Sequence, residues 1–167
     1  RYWLNLTPSD IMWNTSDTGW VKAAWSSVFS PWICGSCVFV HNMPQFKPEV
    51  IAEVSLTFYT VIFISILQKV LKHCVTGGEA LNPEVLAKWK IQTGVDIHEG
   101  YGQTETVAIC ANMKGMKIKP GSLGKAVPPY DVQIVDDHGA VVPTGEEGTI
   151  AVRVQPTRPF CLFSEYL

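Results

Sequence analysis

Residues 74–105 read CVTGGEALNPEVLAKWKIQTGVDIHEGYGQTE, and this stretch decides the fold class. The apolar run that leads into it predicts a buried strand over residues 70–76. Apolar residues at three- and four-residue spacing predict a helix over residues 83–93, and VDIHE (95–99) predicts a second strand. A strand, a helix and a strand in this order predict a βαβ unit with a right-handed crossover.

Residues that favour helix ends flank the predicted helix. Asn82 is a good N-cap, Pro83 suits the first helical position, and Gly94 suits the position after the last turn. The two strands are therefore expected to run parallel and to end at one edge of the sheet. This predicts that TGGEA (76–80) and EGYGQTE (99–105) lie side by side, at the edge where open α/β sheets bind their ligands.

Residues 98–106, HEGYGQTET, contain no aliphatic side chain, and this composition predicts a loop. A plain surface turn would satisfy the pattern, with Glu105 as a solvated charge. A nucleotide site would satisfy it as well. Glycines let a ligand approach the backbone, Tyr101 offers a ring for stacking on a base, and the Thr104 hydroxyl can donate to a phosphate. Glu105 offers the carboxylate that Mg²⁺ takes beside substrate phosphates.

Shorter elements are predicted before the βαβ unit. Asp17 or Thr18 is expected to cap a helix that ends at Gly35, and CVFVH (37–41) is expected to form a strand. PEVIAEVS (48–55) predicts another helix, because its proline suits the first helical position.

The chain changes character after Lys117, where Pro and Gly become frequent. Two alternating runs, DVQIV (131–135) and TIAVRV (149–154), are separated by turn-forming residues and predict antiparallel hairpins. We therefore expect an α/β fold with two parts. Residues 1–117 form an α/β core with a partly parallel sheet and helices, and residues 118–167 form a small antiparallel β subdomain.

The composition excludes several classes of protein. The 167 residues carry a formal net charge of −2 and are 47% hydrophobic, so neither a disordered chain nor a nucleic-acid-binding protein is expected. The longest uncharged stretch, VSLTFYTVIFISILQ (54–68), is shorter than the roughly 20 residues that a membrane-spanning helix needs. We expect this stretch to form a buried strand or a core helix.

The odd number of cysteines, five, favours reduced thiols in an intracellular compartment. Cys34 and Cys37 form a CxxC motif, which occurs in redox dithiols and in one half of many zinc sites. A zinc site needs a second pair, and the sequence has none. Buried, unreactive thiols are the expected interpretation, and a thiol-redox module is the alternative.

The signature YGQTET (101–106) resembles the adenylation-site motif of the adenylate-forming superfamily, which includes the acyl-CoA synthetases. The surrounding sequence resembles one branch, the mitochondrial medium-chain acyl-CoA synthetases. The stretches that carry this resemblance are MWNTSDTGWVKAAWSSVFSPW (12–32), GSCVFVH (35–41), residues 74–107, MKIKPGSLGKA (116–126) and YDVQIVDDHGAVVPTGEEGTIAVRV (130–154).

The resemblance implies a two-step ligase, of which this chain would be a piece of the large adenylating domain. A medium-chain fatty acid, or a related carboxylic acid, attacks the α-phosphate of ATP and gives an acyl-adenylate and pyrophosphate. The CoA thiolate then displaces AMP. The implied cofactors are ATP, Mg²⁺ and CoA, the implied compartment is the mitochondrial matrix, and no nucleic-acid partner or membrane span is implied.

The same resemblance implies roles for individual residues. Thr104 would hold a phosphate and Glu105 would bind Mg²⁺, which makes these two the catalytic residues. Trp20 and Gly102 would line the acyl pocket. The implied nucleotide-binding residues are Gly78, Glu79, Ala80, Glu99, Gly100, Tyr101, Gly102 and Thr104.

Three parts of the family pattern are not in this sequence: the upstream phosphate loop, the downstream ribose-binding aspartate, and the C-terminal domain with its catalytic lysine. The segment before TGGEA is also shorter than in the family. We therefore expect an internally shortened fragment of the N-terminal domain, with little or no ligase activity by itself. The alternative is a truncated, non-catalytic nucleotide- or partner-binding product of a splice variant or a pseudogene.

Overall fold

The computed structural model describes residues 2–42 and 71–166. The helix predicted over residues 48–55 and the uncharged stretch 54–68 lie outside this described part. The described elements, in chain order, are β1 (Ile11–Trp13), α1 (Val21–Ala24), a π-helical turn (Trp25–Phe29), α2 (Ser30–Cys34), β2 (Cys37–Phe39), β3 (Cys74–Gly77), α3 (Pro83–Thr93), β4 (Ile97–Gln103), β5 (Val107–Ala111), β6 (Lys125–Ala126), β7 (Val132–Val135) and β8 (Thr149–Val152).

The largest sheet is mixed and has the order β3-β4-β5-β6. β3 pairs with β4 in parallel, from Cys74 opposite Ile97 to Gly77 opposite Gly100, and α3 connects the two strands. The βαβ unit is therefore confirmed, whereas the handedness of its crossover stays a prediction. The first strand is shorter than predicted, because it begins at Cys74 rather than at residue 70.

The ends of α3 are those that its sequence predicts. The Asn82 side chain accepts a hydrogen bond from the Glu84 N–H at 2.8 Å. Gly94 ends the helix in the left-handed conformation, with φ of 72°, and its N–H donates to the Lys90 carbonyl at 2.9 Å. Both contacts are made by residues close in sequence, which is why the sequence alone could place them.

The strand predicted over residues 95–99 is confirmed from Ile97 onward, but it continues to Gln103, so the loop predicted at residues 100–103 is wrong. β4 pairs with β3 over residues 97–100 and with β5 over residues 100–103, so its polar, glycine-rich backbone is paired along its whole length. The register shifts between Tyr101 and Gly102, which marks a β-bulge. Only the three residues that follow β4 form the turn into β5.

The helical stretch over residues 21–34 also begins later than predicted. Trp20 is the N-cap of α1 and makes no capping side-chain hydrogen bond. Asp17 instead accepts from the Gly19 N–H at 2.7 Å, within the preceding turn, so neither Asp17 nor Thr18 caps the helix. The stretch ends as predicted at Gly35, which has φ of 70°. The strand β2 follows and pairs in parallel with β1.

The indole of Trp3 lies against the paired glycines of β3 and β4. A Cβ atom built on Gly100 would lie 2.6 Å from the Trp3 ring, and one on Gly77 would lie 3.2 Å from the ring and 2.8 Å from the Gly100 carbonyl. Trp3 Nε1 donates to the His98 carbonyl at 3.0 Å, and the Trp3 carbonyl lies 2.7 Å from His73 Nε2. Two glycines in register therefore make the space that Trp3 fills.

The C-terminal part contains the predicted hairpin, in which β7 and β8 pair in antiparallel fashion from Val132 opposite Val152 to Val135 opposite Thr149. β6 does not belong to this hairpin, since it pairs with β5 at the edge of the four-stranded sheet. The division of the chain at residue 117 stays a prediction. In the described part of the chain, no helix has the length and apolar character required to cross a bilayer.

We predict that Gly100→Ala destabilises the protein by about 1–3 kcal/mol, because the new methyl group overlaps the Trp3 indole. Urea unfolding of the variant measures this loss. The double variant Gly100→Ala with Trp3→Leu should recover part of it, since the smaller side chain makes room. An unchanged unfolding midpoint in Gly100→Ala would contradict the packing described here.

Candidate functional site

The two segments that were predicted to lie side by side are neighbours in the structure. Thr76 is opposite Glu99 and Gly77 is opposite Gly100 in the parallel pair. The chain leaves the sheet after Gly77 and forms an exposed loop that contains Gly78, Glu79 and Ala80. The predicted nucleotide-binding residues of both segments are thus brought to one edge of the sheet.

A buried carboxylate joins the loop to β4. Glu99 is 5% exposed, and its Oε1 atom accepts a hydrogen bond from the Leu81 N–H at 3.0 Å. A buried carboxylate without a partner would be costly, and this contact offsets part of that cost. Glu99 therefore fixes the end of the 78–81 loop. Leu81 was not among the sequence-predicted site residues.

The turn after β4 presents the two residues predicted to be catalytic. The Gln103 N–H donates to Thr106 Oγ1 at 2.9 Å, and the Thr106 N–H donates to the Gln103 carbonyl at 3.2 Å. Thr104 is exposed at the tip of this turn, and Glu105 is half-buried beside it. The buried Tyr130 hydroxyl donates to the Thr106 carbonyl and anchors the turn.

Glu105 accepts hydrogen bonds through both its side chain and its backbone carbonyl. The Tyr166 hydroxyl donates to the Glu105 carboxylate and lowers the pKa of that carboxyl group below its ordinary value. The Phe163 N–H donates to the Glu105 carbonyl at 2.7 Å. The contact with Tyr166 favours the ionised form of Glu105, which is the form that binds a metal ion.

The donors around Glu105 fit Mg²⁺ bound together with a nucleotide. Mg²⁺ is held in such sites by one or two carboxylates, substrate phosphates and water, not by a full cage of protein ligands. Glu105 supplies one carboxylate, and Thr104, the preceding residue, lines the same groove. Among residues 2–42 and 71–166, no group of three or more His, Cys, Asp and Glu side chains could hold a metal by itself.

A shallow groove of about 340 Å³ opens beside the turn. Thr104, Glu105, Val107, Trp25 and residues 160–164 line this groove. The sequence interpretation missed Trp25 and this returning segment. No sequence signal identifies the segment, because residues 160–164 reach the turn only through tertiary packing.

The two residues predicted to line an acyl pocket differ in their surroundings. Trp20 is 68% exposed at the N-cap of α1. A Cβ atom built on Gly102 would lie 1.5 Å from the Val107 carbonyl oxygen, so the absence of a side chain there serves the β4–β5 hairpin. The acyl pocket at Trp20 and Gly102 stays a prediction, as do the nucleotide and metal roles of the other residues.

Lys22 connects α1 to the end of β3. Its Nζ atom donates to the Gly77 carbonyl at 2.7 Å, across 55 positions of sequence. A Cβ atom built on Gly78 would lie 3.5 Å from the same Nζ atom. The ammonium group therefore lies against the glycine backbone of the candidate site. Nothing in the local sequence pattern singles out Lys22, and the sequence analysis missed it.

The five cysteines are free thiols. Cys34 is half-buried and Cys37 is exposed. Cys74 is half-buried, and burial raises the pKa of its thiol to about 11. The CxxC motif thus forms no disulfide in this structure.

Comparison with known protein families decides the ancestry of the chain. The family model described as AMP-binding enzyme matches residues 1–167. The chain belongs to this family. The resemblance to the acyl-CoA synthetases that the sequence shows is thereby confirmed, and so is the predicted α/β fold class. The individual relatives described next agree with the family model.

Human acyl-coenzyme A synthetases are among the similar sequences. The chain is 58% identical to mitochondrial ACSM5 over 182 residues and 56% identical to mitochondrial ACSM4 over 183 residues. Both matches cover 100% of this chain and 31% of the relative, so the chain spans about a third of the length of these curated relatives. The alignments are longer than the 167 residues of the chain, as expected for an internally shortened member of the AMP-binding family.

Solved structures of larger synthetases contain the same fold. An acyl-CoA synthetase from Brucella canis superposes with a TM-score of 0.81 at 26% identity, covering 98% of this chain and 33% of that chain. The anthranilate CoA ligase AuaEII, solved in complex with anthranoyl-AMP, superposes with a TM-score of 0.73 at 30% identity, covering 91% of this chain and 33% of that chain.

We predict that Glu99→Ala speeds hydrogen exchange of the Leu81 amide at least about tenfold, since a hydrogen bond to a charged acceptor contributes about 1.5–3 kcal/mol. Glu99→Gln should keep most of the protection, because its amide oxygen can accept the same bond. Glu79→Ala, which changes an exposed carboxylate in the same loop, is the matched control. Equal exchange rates in Glu99→Ala and Glu79→Ala would show that Glu99 does not hold the loop.

Proposed function

We propose that this chain supplies part of the adenylate-binding site of an acyl-CoA synthetase that activates medium-chain carboxylic acids. The observation that carries the proposal is the register of β3 and β4, which sets the TGGEA and EGYGQTE segments side by side. The relatives that share these segments are named acyl-coenzyme A synthetases. These relatives are named mitochondrial enzymes, which supports a mitochondrial location.

The proposed reaction has two steps. A carboxylate oxygen attacks the α-phosphorus of ATP, the bond to the β-phosphate oxygen breaks, and pyrophosphate leaves. The CoA sulfur, as a thiolate, then attacks the carbonyl carbon of the acyl-adenylate, and AMP leaves with the bonding electron pair. The first step brings two anions together, so positioning and charge neutralisation should dominate the catalysis.

The described residues would bind the nucleotide at two places, one for the base and one for the phosphates. The loop of Gly78, Glu79 and Ala80 on one side and Tyr101 on the other would enclose the base. The turn after β4 would receive the phosphates, with the Thr104 hydroxyl as a donor. Mg²⁺, when bound, would neutralise phosphate charge beside the ionised carboxylate of Glu105.

The acyl chain would lie on the side of the turn that faces α1. Trp20 presents an exposed indole at the N-cap of α1, and the groove beside Thr104 and Glu105 is lined by Trp25 and by the apolar residues of segment 160–164. Apolar walls suit an aliphatic chain. The anthranilate CoA ligase, 30% identical to this chain, is solved with an acyl-adenylate, which supports the same ligand class here.

A second candidate function is a non-catalytic protein that binds a nucleotide or a partner. The observation that favours it is the span of the chain, which covers 31% of the curated relatives. Both candidates share the nucleotide site. They differ in the acyl-transfer step, which requires groups supplied by the remaining two thirds of a synthetase.

We predict that Mg·ATP raises the melting temperature of the protein more than ATP alone, and that Glu105→Gln removes this difference. The reason is that the neutral amide cannot replace a carboxylate as a Mg²⁺ ligand. Differential scanning fluorimetry with ATP, with and without Mg²⁺, measures the effect. Glu146→Gln is the matched control, since it neutralises an exposed carboxylate between β7 and β8, outside the candidate site.

An unchanged response to Mg²⁺ in Glu105→Gln would contradict the metal role.

A chimera separates the two candidate functions. In it, this chain replaces the aligned third of human mitochondrial ACSM5, to which it is 58% identical. Octanoate-dependent exchange of pyrophosphate into ATP supports the synthetase function, whereas ATP binding without exchange favours the non-catalytic candidate.

A further inference from the structure

The candidate site contains several acids, although its proposed ligand is also an anion. Glu79, Glu99 and Glu105 all belong to the two segments that meet at the edge of the sheet. A carboxylate substrate and a nucleotide phosphate would both be repelled by this arrangement. Mg²⁺ near Glu105 would offset the repulsion at the turn after β4. The end of β3 needs a separate source of positive charge.

The structure supplies such a charge in Lys22. The Lys22 ammonium lies 2.7 Å from the Gly77 carbonyl oxygen, next to the backbone of Gly78. Gly78 has φ of 115°, in the region that favours glycine, and it is the first residue of the exposed loop. A glycine there keeps the space in front of the ammonium free of a side chain, so a ligand atom can approach both groups.

The other cations that make ion pairs are engaged elsewhere. Lys72 pairs with Asp10, Lys90 with Asp96 and Arg153 with Asp131. Within residues 2–42 and 71–166, Lys22 forms no ion pair with a carboxylate. An ammonium group has three N–H donors, and the Gly77 carbonyl takes one of them. Lys22 thus combines a fixed position with unused donors.

We propose that Lys22 is an anion-binding residue of this site, and that it holds an anionic oxygen of the ligand at the Gly77–Gly78 end of β3. The oxygen belongs either to the carboxylate of the acyl substrate or to a phosphate of the nucleotide. Lys22 lies on α1, which begins directly after Trp20, and its ammonium lies at the end of β3, where the loop proposed to enclose the base begins. This inference rests on the proposed function.

The test compares three probes on the 167-residue chain: AMP, octanoate, and the uncharged nucleoside adenosine. Tryptophan fluorescence titration gives the Kd of each. Lys22→Gln is the central variant, because its amide can still donate to the Gly77 carbonyl but carries no charge. Lys22→Arg restores the charge. Lys88→Gln, on the exposed surface of α3, is the matched control.

We expect Lys22→Gln to weaken binding of AMP, of octanoate or of both at least tenfold, while the Kd of adenosine changes less than twofold. The probe that is affected identifies the source of the anionic oxygen. Lys22→Arg should bind within about threefold of the unsubstituted chain, and raising the salt concentration should reduce the difference between Lys22→Gln and that chain.

Two results would overturn the inference. One is an unchanged Kd for AMP and octanoate in Lys22→Gln. The other is an equal loss for adenosine and the anions, because a purely structural role of Lys22 would weaken all ligands alike. If the unsubstituted chain bound none of the three probes, the proposed function would fail and this inference with it. Anion binding that is insensitive to Lys22 would contradict this inference alone.

Discussion

The arrangement of this protein depends on one close contact between two backbones. At the end of the parallel pair of β3 and β4, Gly77 and Gly100 face each other, and the Trp3 indole covers both. A side chain at either position would collide with the ring or with the neighbouring strand. The pairing of these glycines therefore sets how closely the two strands and the Trp3 segment approach each other. The two glycines also belong to the two candidate ligand-binding segments.

The site is built on this contact by side chains that come from distant parts of the sequence. Glu99 ties the loop after β3 to β4 through the Leu81 amide, and Lys22 ties the same loop to α1 through the Gly77 carbonyl. Tyr130 and Tyr166 hold the turn that carries Thr104 and Glu105. These contacts hold the loop after β3 and the turn after β4 in place, and they leave Gly78 exposed to a ligand.

The sequence was sufficient for features that neighbouring residues determine. Asn82 and Gly94 were placed correctly at the ends of α3, and the β7–β8 hairpin followed from its alternating pattern. The polar, glycine-rich composition of residues 100–103 predicts a loop, yet pairing with β5 makes them a strand. The contact of Trp3 with Gly100 and the return of residues 160–164 to Glu105 depend on tertiary packing, which a local pattern does not encode.

The central claim is that the loop after β3 and the turn after β4 bind one adenylate together. Hydrogen exchange of the 167-residue chain, measured by mass spectrometry with and without saturating AMP, tests it most directly. The account predicts slower exchange in residues 77–82 and 99–105 at the same AMP concentration, with no change in β7 and β8. Protection of only one of the two segments, or protection confined to the β7–β8 hairpin, would contradict it.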